Sequence, residues 1–313
     1  MRLEAALSFL VRTFSGFRFA LPAKYRNEIL AIGTAYRAEV VRYNKNRDEF
    51  VPYLSGISAE GLSFSRDGQW VAYVSYPDGV LWRSRVDGSE KIQLTVPPMR
   101  TGAPRWSPDG KQIAFHAVLP GGVMNIYVIP SAGGSAEHLL PSDRGQLDPD
   151  WSPDGKSLVF GTAVDPKGSI HIIDLSSRRV STLPGSMGFF SPHWSPDGRY
   201  ISGTIIQSQN LMLFDTATRR WTKACDCEVG FPMWSHDGKY IYFEKFSRPN
   251  RGYSIVRLRP GDDKIETVAD VIKVGRWTAG MIGNWFGLAP NDSPLVARDI
   301  STQEIFALEM QWP

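Results

Sequence analysis

A pentapeptide returning at a nearly fixed interval limits what this chain can fold into more than any other feature. Trp106-Ser-Pro-Asp-Gly110 recurs at residues 151–155 and 194–198, with variants Phe64-Ser-Arg-Asp-Gly68 and Trp234-Ser-His-Asp-Gly238. Two weaker copies join by register: Leu288-Ala-Pro-Asn-Asp292, and one beginning at Pro22. The anchors 22, 64, 106, 151, 194, 234 and 288 are separated by 42, 42, 45, 43, 40 and 54 residues. Seven residues beyond them stand Ile29, Val71, Ile113, Leu158, Ile201, Ile241 and Leu295, all aliphatic. Chance alignment rarely gives such a column.

Each unit reads as four short strands. An apolar run follows Asp-Gly, as in Gln112-Ile-Ala-Phe115, then a polar loop and a second run such as Asn125-Ile-Tyr-Val-Ile129. A third strand resembles Val180-Ser-Thr-Leu183, and the strand carrying the Trp completes the set. Short β-rich runs between turn residues indicate antiparallel sheet. The pentapeptide is a turn: Pro108 presets φ, Asp109 bonds nearby amides, and Gly110 takes φ > 0 without a Cβ clash. Its Asp residues are scaffold, and its Trp packs between neighbouring sheets.

Four strands per unit of ~42 residues mean radial repetition, an all-β propeller with four-stranded antiparallel blades. Seven anchors predict seven blades in a single domain, residues 1–313, with six or eight blades as the alternatives. The last unit has Pro294-Leu-Val-Ala297 and Glu304-Ile-Phe-Ala-Leu308 but lacks an outer strand. Leu10-Val-Arg-Thr-Phe14 is the expected supplier, so the ring is expected to close between N- and C-terminal strands. An amphipathic helix through Leu3, Leu7, Leu10 and Val11 is the competing reading.

Composition agrees with this frame. Gly and Pro make up 51 of 313 residues, above the usual ~12%, which suits a turn-rich chain. Two cysteines cannot staple a domain this large, so stability must rest on burial. A formal charge of +3 gives no electrostatic case for nucleic acid. The nine Lys/Arg among residues 1–50 are spread through strand segments, as on a solvated outer face. No apolar run approaches the ~20 residues of a spanning helix. The first eleven residues, interrupted by Glu4, do not form a signal peptide, so the cytoplasm is the expected compartment, or the periplasm if the chain is part of an exported protein.

The blades resemble the WD40-like propeller repeats of the TolB type, nearly throughout the chain. They are most similar to propellers that follow winged-helix DNA-binding or serine/threonine kinase domains in acidobacterial-type proteins. That resemblance is carried by residues 56–73 (GISAEGLSFSRDGQWVAY), 81–88 (LWRSRVDG) and 299–308 (DISTQEIFAL). It implies a protein-interaction or sensory role rather than chemistry. The chain departs from the pattern at Pro22, which is followed by Ala-Lys-Tyr-Arg-Asn27, and in lacking a regulator or kinase region ahead of the blades.

A search for chemistry finds little. No Gly-x-Ser-x-Gly elbow is present, and the repeats leave no room for a hydrolase domain. Cys225-Asp-Cys227 reads as a loop pair on an inter-blade connection, with a labile disulfide or a soft-metal pair as alternatives; it lacks further ligands at zinc spacing, and the five histidines are scattered over different repeats. No metal site or cofactor is expected. Asp148 and Asp150 precede Trp151 where an innermost strand begins, and His193 is equivalent to Asp150. Paired carboxylates at a channel mouth could hold a hard cation, but only one repeat supplies two. The 54-residue last interval holds an insertion, residues 271–285, with the interface-type residues Arg276, Trp277 and Trp285. Asp148, Asp150, His193, Arg276, Trp277 and Trp285 are therefore the candidate binding residues. The expected function is a non-catalytic, monomeric scaffold for a protein partner or small ligand at the channel mouth. The alternative is a propeller hydrolase or lyase using channel-mouth residues.

Overall fold

The computed structural model describes residues 16–22, 28–162, 167–247, 252–275 and 285–309. Six four-stranded antiparallel sheets are arranged as blades. The second is typical: Arg100–Trp106 innermost, then Gln112–Val118, Asn125–Pro130 and Glu137–His138 outward. The other innermost strands are Ala59–Phe64, Gln146–Trp151, Phe189–Trp194, Val229–Trp234 and Phe286–Leu288. Each touches the next in chain order, and Phe286–Leu288 touches both Val229–Trp234 and Ala59–Phe64.

The repeat explains the packing. Val71, Ile113, Leu158, Ile201, Ile241 and Leu295 are all completely buried. Between the first two blades, Ala72, Val74 and Leu81 meet Ile113 and Phe115, with Trp106 at the margin. Each such aliphatic side chain contributes about 1.5–3 kcal/mol by leaving water. The indoles also latch neighbouring blades: Trp106 Nε1 donates to the Ser63 carbonyl at 3.0 Å, Trp151 to Arg105 at 3.0 Å, and Trp234 to His193 at 3.1 Å. Trp194 instead donates to Gly198 of its own turn at 3.4 Å.

The serine of each pentapeptide is itself a bonded part of the turn. Ser107 Oγ donates to Asp109 Oδ1 at 2.7 Å and accepts the Gln112 N–H at 2.9 Å, while Asp109 Oδ1 also accepts the Lys111 N–H at 3.0 Å. Ser65, Ser152, Ser195 and Ser235 repeat the Ser–Asp bond. These bonds satisfy backbone donors locally, and the following Gly takes φ of 68–77° in every copy. In the weak copy, Asp292 occupies the glycine position at φ 60°.

The blade count corrects the expectation of seven. The Pro22 copy lies in a separate three-stranded sheet of Gly16–Pro22, Glu28–Ala35 and Thr302–Glu309. Its central strand is not the start of a new blade. The sixth blade takes Phe286–Leu288 and Pro294–Asp299 from one end of the chain, and Ala38–Asn44 and Glu49–Pro52 from the other. The ladder between Pro294–Asp299 and Ala38–Asn44 then simply runs on. Leu295 faces Arg42, Asp299 faces Ala38, Thr302 faces Ala35 and Glu309 faces Glu28, without a register shift. A 42-residue spacing placed Pro22 correctly in sequence but could not reveal this long-range partner. The proposed strand at Leu10–Phe14 lies outside the described residues.

Among the described residues no helix is long and apolar enough to cross a membrane. Cys225 and Cys227 are joined in a disulfide, on the link between the fourth and fifth blades.

Candidate functional site

The innermost strands share a bulge that shapes the channel they surround. Gly61, Ala103, Asp148, Ser191 and Phe231 adopt φ of 45–63°, and the strand pairing shifts register there. In four blades a buried proline follows: Pro104, Pro149, Pro192 or Pro232. Proline has no N–H to lose where the ladder is already interrupted. The bulge separates the residue at the left-handed position from the one two places on, next to the Trp.

That separation divides Asp148 from Asp150. Two cavities lie along the axis, of about 380 and 250 Å³. The larger, on the side of the Asp-Gly turns, is lined by Asp150, and the smaller by Asp148. Arg105, His193 and Met233 line both, and so form a waist between them. The two acids therefore face different compartments and do not act together on one ion.

At the waist, Asp150 Oδ2 accepts the Trp194 backbone N–H at 2.8 Å and lies 3.7 Å from His193 Nδ1. Asp150 Oδ1 is 3.8 Å from Arg105 Nε, an ion pair without a hydrogen bond. Arg105 donates instead to the Pro104 carbonyl at 3.1 Å and to Met233 Sδ at 3.6 Å. All three charged or titratable groups are largely buried, so a ligand reaching them meets hydrogen-bonding capacity away from bulk water.

In the smaller cavity, Asp148 sits beside buried His116. The Asp148 N–H donates to His116 Nδ1 at 3.3 Å, and the carboxylate is 3.7 Å away. Burial pushes the His116 pKa down, the nearby Asp148 charge opposing that shift. Neutral imidazole fits its role as acceptor. Trp285, buried to 4% exposure, also lines this cavity, where a Cβ on Gly287 would lie 2.5 Å from its ring. The sixth blade thus needs glycine where others carry Arg105, Asp150 or His193.

The insertion is partly visible: Val271 and Val274 are buried between the fifth and sixth blades, around a short 3-10 turn at Ile272–Val274. Arg276 and Trp277 lie outside the described residues. Asp148, Asp150, His193 and Trp285 all fall on the channel. Arg105, Met233, Arg66 and His236 were missed. Arg66 and His236 stand where other copies have proline, a departure visible in the repeat itself. Among the described residues no group of three or more His, Cys, Asp or Glu side chains is placed to hold a metal ion.

Six blades of this kind around an axial channel define a β-propeller. The TolB beta propeller domain matches residues 57–224, more than half of the chain, and the chain belongs to that family. Among solved structures it is similar to a protein assigned as TolB from Agrobacterium tumefaciens, with TM-score 0.67 and 21% identity over 85% of this chain and 99% of that one. TolB from Acinetobacter baumannii gives TM-score 0.58 at 14% identity, covering 87% and 82%. Oligogalacturonate lyase from Vibrio parahaemolyticus gives 0.60 at 11%, covering 90% and 96%. At these identities the likeness shows the fold alone. Curated proteins offer no sequence match.

Proposed function

We propose that this chain is a non-catalytic propeller that binds a protein partner or small ligand at a mouth of its axial channel. We read it as a monomeric sensory module of a transcriptional regulator or kinase, working in the cytoplasm, or in the periplasm where it is part of an exported protein. One observation carries the binding reading: Arg105, Asp150 and His193 meet at a waist between two cavities, and among the described residues no carboxylate lies within hydrogen-bond distance of Arg105. Such a group, held away from bulk solvent, gains from a ligand that supplies acceptors. Support for the sensory role comes from residues 56–73 and 81–88 and their resemblance to regulator and kinase propellers.

The test is capture of partners by the purified protein, compared with Arg105→Gln and His193→Gln variants that retain the wild-type melt. Partners held by the wild type and released by both variants are the expected result. Partners held equally by all three would place binding elsewhere. Turnover of oligogalacturonate by the wild type, abolished in His193→Gln, would replace this reading with the lyase alternative.

A further inference from the structure

The left-handed position of the bulge carries a different side chain in each blade: Gly61, Ala103, Asp148, Ser191 and Phe231. Of these only Asp148 is charged. Its side chain lines the smaller cavity, of about 250 Å³, beyond the waist from the Asp-Gly turns.

The Asp148 carboxylate has no counter-charge of its own. It accepts no hydrogen bond among the described residues, and its one neighbour there at ion-pair distance is His116 Nδ1, 3.7 Å away. His116 Nδ1 already accepts the Asp148 N–H, so the neutral ring carries its proton on Nε2 and offers none to the carboxylate. A Cβ on Gly102 would collide with that Nε2, so the ring sits in space that only a glycine leaves open. Arg105 also lines the cavity, but its Nε lies 3.8 Å from Asp150. Its terminal nitrogens donate to the Pro104 carbonyl and to Met233 Sδ. His193 likewise lies 3.7 Å from Asp150 and not beside Asp148. One guanidinium thus stands with Asp150, and Asp148 is left unbalanced.

The rest of the wall is aromatic or accepts hydrogen bonds. Phe190, Phe231, Phe246, Trp285 and Phe286 line the cavity. Thr204 lines it too, 2% exposed, and its hydroxyl has no hydrogen-bond partner among the described residues. Gln209 donates to the Ile206 carbonyl at 2.8 Å, while its amide oxygen is unengaged among the described residues.

Resting on the channel-binding reading above, we infer that the smaller cavity binds an organic ammonium group, on a lysine side chain or a free alkylamine, with Asp148 as its counter-ion. The rings attract the cation through their negative faces, and Thr204 and Gln209 supply further acceptors for its N–H groups. A neutral hydroxyl would meet the same acceptors but leave Asp148 unbalanced away from bulk water. A hard metal ion needs about six oxygen ligands, where this wall is mostly rings.

The test titrates the whole protein with pentylammonium, 1-pentanol and acetyl-lysine amide, following the Trp285 indole N–H resonance. Pentylammonium is expected to shift that signal saturably, with 1-pentanol weaker by about tenfold or more. Asp148→Asn should weaken pentylammonium about tenfold and leave 1-pentanol unchanged. The carboxylate has no hydrogen bond to lose, and Asn tolerates a φ of 51°, so this variant keeps the fold. Phe190→Leu keeps apolar bulk but removes a ring, and should cost pentylammonium roughly threefold and 1-pentanol less than about twofold. Equal binding of amine and alcohol, or equal loss of both in Asp148→Asn, overturns the ammonium assignment. Acetyl-lysine amide binding as well as pentylammonium would assign the group to a protein lysine, and its exclusion to a free amine. If no probe moves the Trp285 signal, the ammonium site is refuted, whereas the waist is judged separately by partner capture with the Arg105 and His193 variants.

Discussion

The junction between the third and fourth blades and that between the first and second share one turn architecture but differ in the residue that follows the serine. In the former, Pro153 covers Gly198 and the surface is sealed. In the latter, Arg66 leaves Gly110 uncovered, and a groove opens beside the channel. The Ser–Asp bonding is the same in both, with Ser65 Oγ donating to Asp67 at 2.5 Å and Ser152 Oγ to Asp154 at 2.6 Å. The hydrogen-bonded frame therefore tolerates a change in what the turn presents. A third variant shows the same independence: His236 replaces the proline and bonds Asp292 of the sixth blade at 2.8 Å. The frame makes the propeller, and the position after the serine decides how each turn meets its neighbour.

Removing the frame should have the largest effect. Asp154→Ala deprives the Ser152 hydroxyl and the Lys156 N–H of their acceptor and is expected to cost about 1–3 kcal/mol, read as a lower denaturant midpoint. Equal loss for Asp67→Ala would show that the frame does not depend on the proline. A loss confined to Asp154→Ala would show that it does.

Acid should weaken all the turns together. Ser107 and the Lys111 amide hold Asp109 below the usual carboxylate range, and the Lys239 amide and Ser235 lower Asp237 to about 2. These folded values are depressed, so their stabilisation is complete above the unfolded pKa near 4 and is lost as pH falls through the folded values. Thermal melts should fall progressively between about pH 4 and pH 2. A melt unchanged over that range would mean the turn carboxylates contribute nothing measurable.

The smallest effects come from exchanging the variable residue. Arg66→Pro should cover Gly110 and stabilise by about 0.5–1 kcal/mol through a stiffer unfolded chain. Pro153→Arg should do the reverse, costing about 1 kcal/mol. Melting the two variants beside the wild type checks both signs. Two shifts of the same sign would break the comparison.

Much of this architecture was legible because its signals are local. The Trp anchors, the Asp-Gly turns and the aliphatic column at Val71 to Leu295 each depend on a few neighbouring residues, and all lie where their chemistry places them. The count of blades was not, because Pro22 fits the spacing while Glu28–Ala35 answers to Thr302–Glu309 at the other end of the chain. The candidate site was legible as a location: Asp148, Asp150, His193 and Trp285 all reach the channel. Its division was not, since a bulge at φ 51° turns two nearby acids into different compartments. Arg66 and His236 escaped notice for another reason: a departure from a repeat reads as decay until its neighbours are known.

The shared ladder also dictates how the molecule would yield to force. Glu28 and Glu309 face each other at the outer end of that ladder, and Arg42 and Leu295 lie towards its inner end. Tension applied between residues 28 and 309 loads the paired strands one rung at a time, as a zipper, instead of shearing all rungs together. Such a molecule peels open from its tips at low load: the three-stranded sheet parts first, and the sixth blade, built from both ends of the chain, is the first blade to follow.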